Sequence, residues 1–375
     1  MCIKDYLKNN PYRVLGVATN DSSATLVSHN SQMKAYASIG KSVSFAHDLD
    51  MAFGEKPQRQ SQDLASALAA LSTPEGRLHH SMFWFMNVTA TDAEALAALA
   101  KTGSAMEARR IWEKGEQDMS SVQNQLMCNL LMDPRAYAKA IQNAFFLYAR
   151  FGGEFITTVS GGISVTTPDQ LMSLFMMSLI DVSGKEIKWW DRAIRRCHHA
   201  PLTNLWIEAK VRSLVKKLQE VLNAARSSEC KTPQDHYDIA SRLMHQAEPF
   251  LKELKELTDQ HSFLLSSYTT IADTLCEFIL DEQITYYNRS GWSYSKADRV
   301  LPLKRFCYRY AATVRFKNRC KETINIVLGR KKDAPLFPNG TPDNLMFESD
   351  RKRRSAGICA ILTALEKQKT EEHKK

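Results

Sequence analysis

The chain has 375 residues, of which 44% are hydrophobic and 24% charged, with a formal net charge of +9. That is length for two or three domains with a substantial core, and it excludes wholesale disorder. No two of the eight cysteines stand at C-x₂₋₄-C spacing, which excludes a zinc ribbon or thioredoxin-type site and points to a reduced, cytoplasmic protein.

At the N-terminus Lys4, Asp5 and Lys8 interrupt any apolar run, so no signal peptide is expected. Asn10-Pro11-Tyr12-Arg13-Val14-Leu15-Gly16-Val17 opens the first organised segment. A helix is predicted over 23–38, then a loop, then a helix over 60–71, closing on Ser72-Thr73-Pro74-Glu75-Gly76-Arg77-Leu78-His79-His80. This order resembles a J-domain: an aromatic-x-x-Leu-Gly-Val opening, two long helices, and a Thr-Pro-Glu-x-Arg close. The resemblance implies a helical hairpin in which Leu26, Met33, Leu64, Leu68 and Leu71 lie between the helices, with Tyr12 and Leu15 beneath. Active J-domains carry His-Pro-Asp after the second helix, and that tripeptide stimulates a DnaK-type ATPase. Here the place is taken by Ser38, Ile39, Gly40 and Lys41, preceded by Ala37. The nearest His-Asp, His47-Asp48, lacks the proline and lies several residues late. The basic face of the second helix is missing too, since 23–38 holds only Lys34 and His29. The resemblance therefore implies a kept fold without the usual activity. Met82-Phe83-Trp84-Phe85 is predicted to anchor this unit to the rest of the chain, with an exposed partner site as the rival reading.

Beyond residue 86 the chain reads as helix after helix. Ala93–Leu99, Thr102-Gly103 and Ala105–Lys114 resemble one tetratricopeptide-type hairpin, with Trp112 on its packing face. A single such unit establishes no repeat array. Helices continue over 123–150 and break at Asp133-Pro134. The β-branched runs 155–159 and 163–167 around Gly161-Gly162 read either as a small β-hairpin or as an ordinary loop. Leu171–Val182 is the longest apolar run; at about twelve residues it falls short of the ~20 a bilayer requires and reads as a buried helix. An amphipathic helix follows over 202–225, with Leu205, Ala209, Leu214, Leu218, Val221 and Leu222 as its stripe. Thr232-Pro233 starts a helix over 235–257, and another spans 262–288. A further helix is predicted from Pro302 to about Leu328. Residues 333–344 form a linker, and the rest a basic tail with Arg351-Lys352-Arg353-Arg354. The layout from 152 to 330 resembles bacterial J-domain-like proteins with an all-helical tail, on Phe151–Phe155, Ile284–Asn288 and Arg319–Ile324. The reading is thus an all-α chain: a J-like unit (1–86), tetratricopeptide-like hairpins (87–151), a helical body of repeats or a bundle (152–332), and a linker with a basic tail (333–375).

Charge is placed unevenly. Residues 296–332 carry twelve basic side chains and two acidic ones, a local +10 against +9 for the whole chain. On one helix Leu303, Phe306, Tyr310 and Val314 would face the core, leaving Lys304, Arg305, Arg309, Arg315 and Arg319 as a basic partner-binding surface. The competing reading pairs these arginines with acids such as Glu277, Asp281 and Glu282. Catalytic signatures are missing: there is no phosphate loop, dinucleotide turn, H-E-x-x-H or nucleophile elbow. The adjacent pairs His79-His80 and His198-His199 diverge by about 100° on a helix, so no metal and no cofactor are expected. The favoured function is a non-enzymatic adaptor, co-chaperone-like but unable to stimulate a DnaK-type ATPase. Its expected partners are proteins, a chaperone or its client, with no membrane span. The alternative is a nucleic-acid-associated protein that uses 296–332 on the phosphate backbone.

Overall fold

A computed structural model describes residues 2–333 apart from Ser164 and Trp292. The predicted linker beyond Asp333 and the Arg351–Arg354 cluster lie outside those residues. Among the described residues all regular structure is helical. The chain divides by internal packing into two units, Met1–Ser213 and Leu214–Lys375.

The first unit opens with short helices α1 (Ile3–Lys8) and α2 (Pro11–Val14), then α3 (Ser23–Ser38), α4 (Asp50–Phe53), α5 (Ser61–Ala70) and α6 (Pro74–Ser81). Starts are set by local chemistry: Ser22 accepts from Thr25 N–H ahead of α3, and Thr73-Pro74 gives α6 a cap and a proline that needs no N–H. Helices α3 and α5 pack together with Leu26, Met33, Leu64 and Leu71 buried, above buried Tyr12 and Leu15. Leu68 is the exception. It is only half-buried, and Ala67 fills the inward position instead.

The Met82–Met86 block is wholly buried, so the anchor reading holds and the exposed-site reading does not. Trp84 Nε1 donates to Val17 O at 2.9 Å, and Phe83 stacks on Phe175 at 5.3 Å. Helices α7 (Ala90–Thr102), α8 (Ala105–Lys114) and α9 (Met119–Leu131) follow. Gly103 at φ +70° turns α7 into α8; a Cβ there would stand 2.5 Å from Met51 O. Asp92 is buried and accepts from Trp112 Nε1 (2.8 Å), Ser120 Oγ (2.7 Å) and Asn124 Nδ2 (2.9 Å), which locks the three helices. On α9, Gln123 donates to Ser81 O and Trp84 O, and Asn124 pairs both ways with Met86. The irregular backbone around the aromatic block is thereby satisfied.

Helix α10 (Tyr137–Ser160) overturns the hairpin reading of 155–159. Phe155, Ile156 and Val159 extend the stripe of Tyr148 and Gly152 at helical spacing, and burial of that stripe outweighs β propensity. Gly161 (φ +69°) and Gly162 (φ +87°) end the helix rather than turning a hairpin. Gly152 is small because a Cβ there would come within 2.9 Å of Pro168. Helices α11 (Pro168–Ser183) and α12 (Ile187–Arg196) complete the unit, and α13 (Ala200–Arg226) carries the chain into the next.

The second unit holds the end of α13, α14 (Pro233–Gln260), α15 (Leu265–Ser290), α16 (Tyr294–Tyr310) and α17 (Val314–Asp333). Its interior includes Leu218, Leu222, Leu243, Leu251, Ile271, Leu275, Ile279 and Phe306. Ser262–Ser290 is the one stretch among the described residues long and apolar enough to cross a membrane by length and composition. Tyr268, Ile271, Leu275 and Ile279 on it are buried inside the unit, as in a core helix. The single helix expected from Pro302 to Leu328 is two helices, and Pro302 sits inside the first. The corner at 311–313 is held from α15. Asp273 accepts from Ala312 N (2.6 Å) and from Thr313 N and Oγ1 (3.2 and 2.6 Å), and Tyr268 donates to Tyr310 O (2.7 Å).

Candidate functional site

Residues 39–60 connect α3 to α5, with α4 inside the connection. Helix α3 stops at Ser38, with Ile39 as its cap and Gly40 at φ +67° reversing the chain; Ser38, Ile39, Gly40 and Lys41 are all exposed. From there the loop folds back onto α2 rather than standing free, because two arginines pull it in. Arg13 is fully buried and donates to three carbonyls: Asp48 O (2.7 Å), Lys8 O (2.9 Å) and Glu55 O (2.6 Å). Its guanidinium lies 4.4 Å from the Phe53 ring centre, and burial pushes it below its ordinary pKa against the pull of Asp50 and Asp48.

Arg59 donates to Val14 O (2.8 Å) and Val43 O (3.0 Å) and makes a bidentate ion pair with buried Asp48. Asp48 Oδ2 also accepts from Phe45 N (3.0 Å). His29 stacks on Phe45 at 4.0 Å and reaches Leu15 O. The dipeptide His47-Asp48 therefore points inward: Asp48 is spent on Arg59, and burial holds the His47 imidazole below its usual pKa.

This folding leaves a recess of about 220 Å³. Met33, Ala37 and Val43 supply an apolar lining, and Lys41, Lys56 and Arg59 supply charge. Lys41 and Lys56 are exposed and make no ion pair among the described residues, whereas the charge of Arg59 is offset by Asp48. The arrangement offers two free cations over an apolar floor.

The sequence-predicted basic surface is not brought together. Lys304 is 4% exposed, and burial pushes its ammonium down to about 8. Arg309 pairs with Glu248 at 3.2 Å; Arg319 pairs with Glu277 (3.0 Å) and Asp281 (2.9 Å). Arg305 and Arg315 are exposed but stand on different helices, and Val314, expected in the core, is 75% exposed. The corner at 311–313 breaks the register that had aligned the five residues. Pairing with Glu277 and Asp281 was legible as the competing reading; pairing with Glu248 was not.

The two histidine pairs serve packing. Tyr6 Oη lies 3.2 Å from both His79 Nε2 and His80 Nδ1, and His79 Nδ1 lies 3.2 Å from Ser178 Oγ. Burial holds both rings below their usual pKa, His80 at about 4. Cys197 donates to Ala193 O at 3.3 Å beside His198, which adopts φ +47°. Trp190 is buried and stacks on Tyr137 at 4.0 Å, while Trp189 is 47% exposed under Arg192. Missed from the sequence was the group Cys230, His236 and Glu282; the C-x₅-H spacing lies outside the common metal patterns, and Glu282 is remote in the chain.

Comparisons with protein-family models, curated proteins and solved structures return no match to this chain.

Proposed function

We propose that the chain is a non-enzymatic, J-like adaptor that binds a protein partner through the recess between α3 and the 41–59 loop. Co-chaperone-like in build, it lacks the means to stimulate a DnaK-type ATPase. One observation carries this reading: the loop that bears the tripeptide in active J-domains is here tied inward by Arg13, Arg59 and Asp48, leaving Lys41 and Lys56 as free cations at an apolar recess. The chemistry fits a short acidic segment with one apolar side chain. Ion pairing of Arg309 and Arg319 and burial of Lys304 weigh against the phosphate-backbone alternative.

Two measurements test the proposal. In a single-turnover ATPase assay with the cognate DnaK-type chaperone, the protein should give no stimulation, and stimulation comparable to an active J-protein would overturn that part. Affinity capture from the native cell should yield a partner whose purified form binds wild type and loses binding to Lys41→Glu/Lys56→Glu. Equal binding by that variant would remove the recess from the function.

A further inference from the structure

The second unit gathers three side chains of different ligand chemistry. Cys230 lies in the connection between α13 and α14, His236 near the start of α14, and Glu282 in the C-terminal half of α15. One ligand atom from each lies within 4.8 Å of the others, and His236 Nδ1 is 2.6 Å from Glu282 Oε2. His236 is buried, and the other two are partly buried, so the group is sheltered yet reachable.

We propose that Cys230, His236 and Glu282 form a binding site for one divalent transition-metal ion of the zinc class, which ties the 227–232 connection to α14 and α15.

Charge and size support this. A thiolate and a carboxylate sum to −2 beside a neutral imidazole, which balances a divalent cation. A mixed sulfur, nitrogen and oxygen set selects a borderline ion over magnesium or calcium. Bonds of about 2.0–2.3 Å place neighbouring ligand atoms of a tetrahedral ion about 3.3–3.7 Å apart. The three atoms stand within 4.8 Å of one another, and the 2.6 Å His236–Glu282 hydrogen bond opens as the ion replaces the Nδ1 proton. Water completes the fourth position. A nucleophile reading is weaker, because burial, Glu282 and Asp235 raise the Cys230 thiol pKa against the opposing pull of Arg289.

Arg289 supplies a sharper test. Its Nη1 lies 3.3 Å from His236 Nε2, so without metal it donates there and fixes the imidazole proton on Nδ1, toward Glu282. Metal on Nδ1 moves that proton to Nε2, where it faces the guanidinium. Arg289 is exposed on the last turn of α15 and swings out on loading. It therefore opposes binding, as a ligand or a purely structural partner would not.

The experiment uses the full chain, stripped with a chelator and reduced, titrated with Co²⁺ alone and then with Zn²⁺ as competitor. One equivalent of Co²⁺ should give a thiolate charge-transfer band in the near ultraviolet and tetrahedral visible bands, both removed by Zn²⁺. Cys230→Ser should abolish the charge-transfer band. Loss of an outer partner alone typically costs 10–100-fold in affinity, so Glu282→Gln should weaken binding by about that or more. Arg289→Gln should bind Co²⁺ several-fold more tightly. Circular dichroism identifies folded variants, and Glu282→Gln serves if Cys230→Ser does not fold. No charge-transfer band, a band that persists in folded Cys230→Ser, or weaker binding by Arg289→Gln would each overturn the proposal.

Discussion

Lys304 is an ammonium confined to an apolar interior, near Cys307 and Cys320 and without a carboxylate partner among the described residues. Its folded pKa of about 8 lies below the unfolded value of about 10.4, so the unfolded chain binds more protons between those two values. Burial of this group therefore costs stability below about pH 8, and the penalty fades as pH rises toward 10.4. Two and a half pKa units correspond to on the order of 3 kcal/mol. Replacing Lys304 with Met should raise urea stability at pH 7, with the gap to wild type closing between pH 8 and 10.5. A constant gap across that range would show that folding leaves the lysine's pKa unchanged, its ammonium solvated or paired in the folded chain. Removing Asp48 should lower stability. Among the described residues Asp48 is the carboxylate that pairs with Arg59, and Asp48→Ala leaves that guanidinium uncompensated. A loss of about 3 kcal/mol is expected by urea denaturation, together with loss of partner binding at Lys41 and Lys56.

At the scale of elements, most helix limits follow from short-range chemistry. Thr73-Pro74, Thr167-Pro168 and Thr232-Pro233 all start helices where the sequence places a capping oxygen before a proline. The α16–α17 corner has no such signal. Ala311-Ala312-Thr313 contains neither glycine nor proline, and the N–H groups of Ala312 and Thr313 are satisfied by Asp273, about forty residues earlier. The sequence pattern continued the helix because the breaking interaction is tertiary. Asp273→Ala should cost about 1–2 kcal/mol, the range for loss of a cap, and should increase amide hydrogen exchange at Ala312 and Thr313. Unchanged exchange would mean that the corner stands without it. The hairpin misreading near 155–167 has a similar origin: glycines that end a helix and glycines that turn a hairpin look alike when β-branched residues flank them.

For the molecule as a whole, the all-helical class, the α3–α5 pair and the buried aromatic block were legible, because periodicity and anchor chemistry are local. The recess was not, since nothing in the sequence says that Arg13 and Arg59 converge on Asp48. The net charge misled for a related reason. Counting residues along 296–332 gives a field, but two of the five nominated cations are held by acids of other helices and one is buried. The double reversal Arg305→Glu/Arg309→Glu should accordingly lower stability by no more than about 1 kcal/mol, through the exposed Glu248 pair. Under the proposed function, a partner held through Lys41 and Lys56 should stay bound. Loss of that partner with melting unchanged would restore the basic segment to the function.

The Met82–Met86 block also bears on the order in which the chain is made. Its covering groups come later: Gln123 and Asn124 on α9, then Phe175 on α11, about 90 residues after Phe83. At roughly 5–20 residues per second, five consecutive apolar side chains wait some 5–20 seconds on the ribosome before their last lid is synthesised. The unit formed by α1–α6 thus keeps part of its core uncovered at the moment its own sequence is complete. Until α11 emerges, the growing chain is itself a substrate for whatever shields exposed apolar segments in the cell.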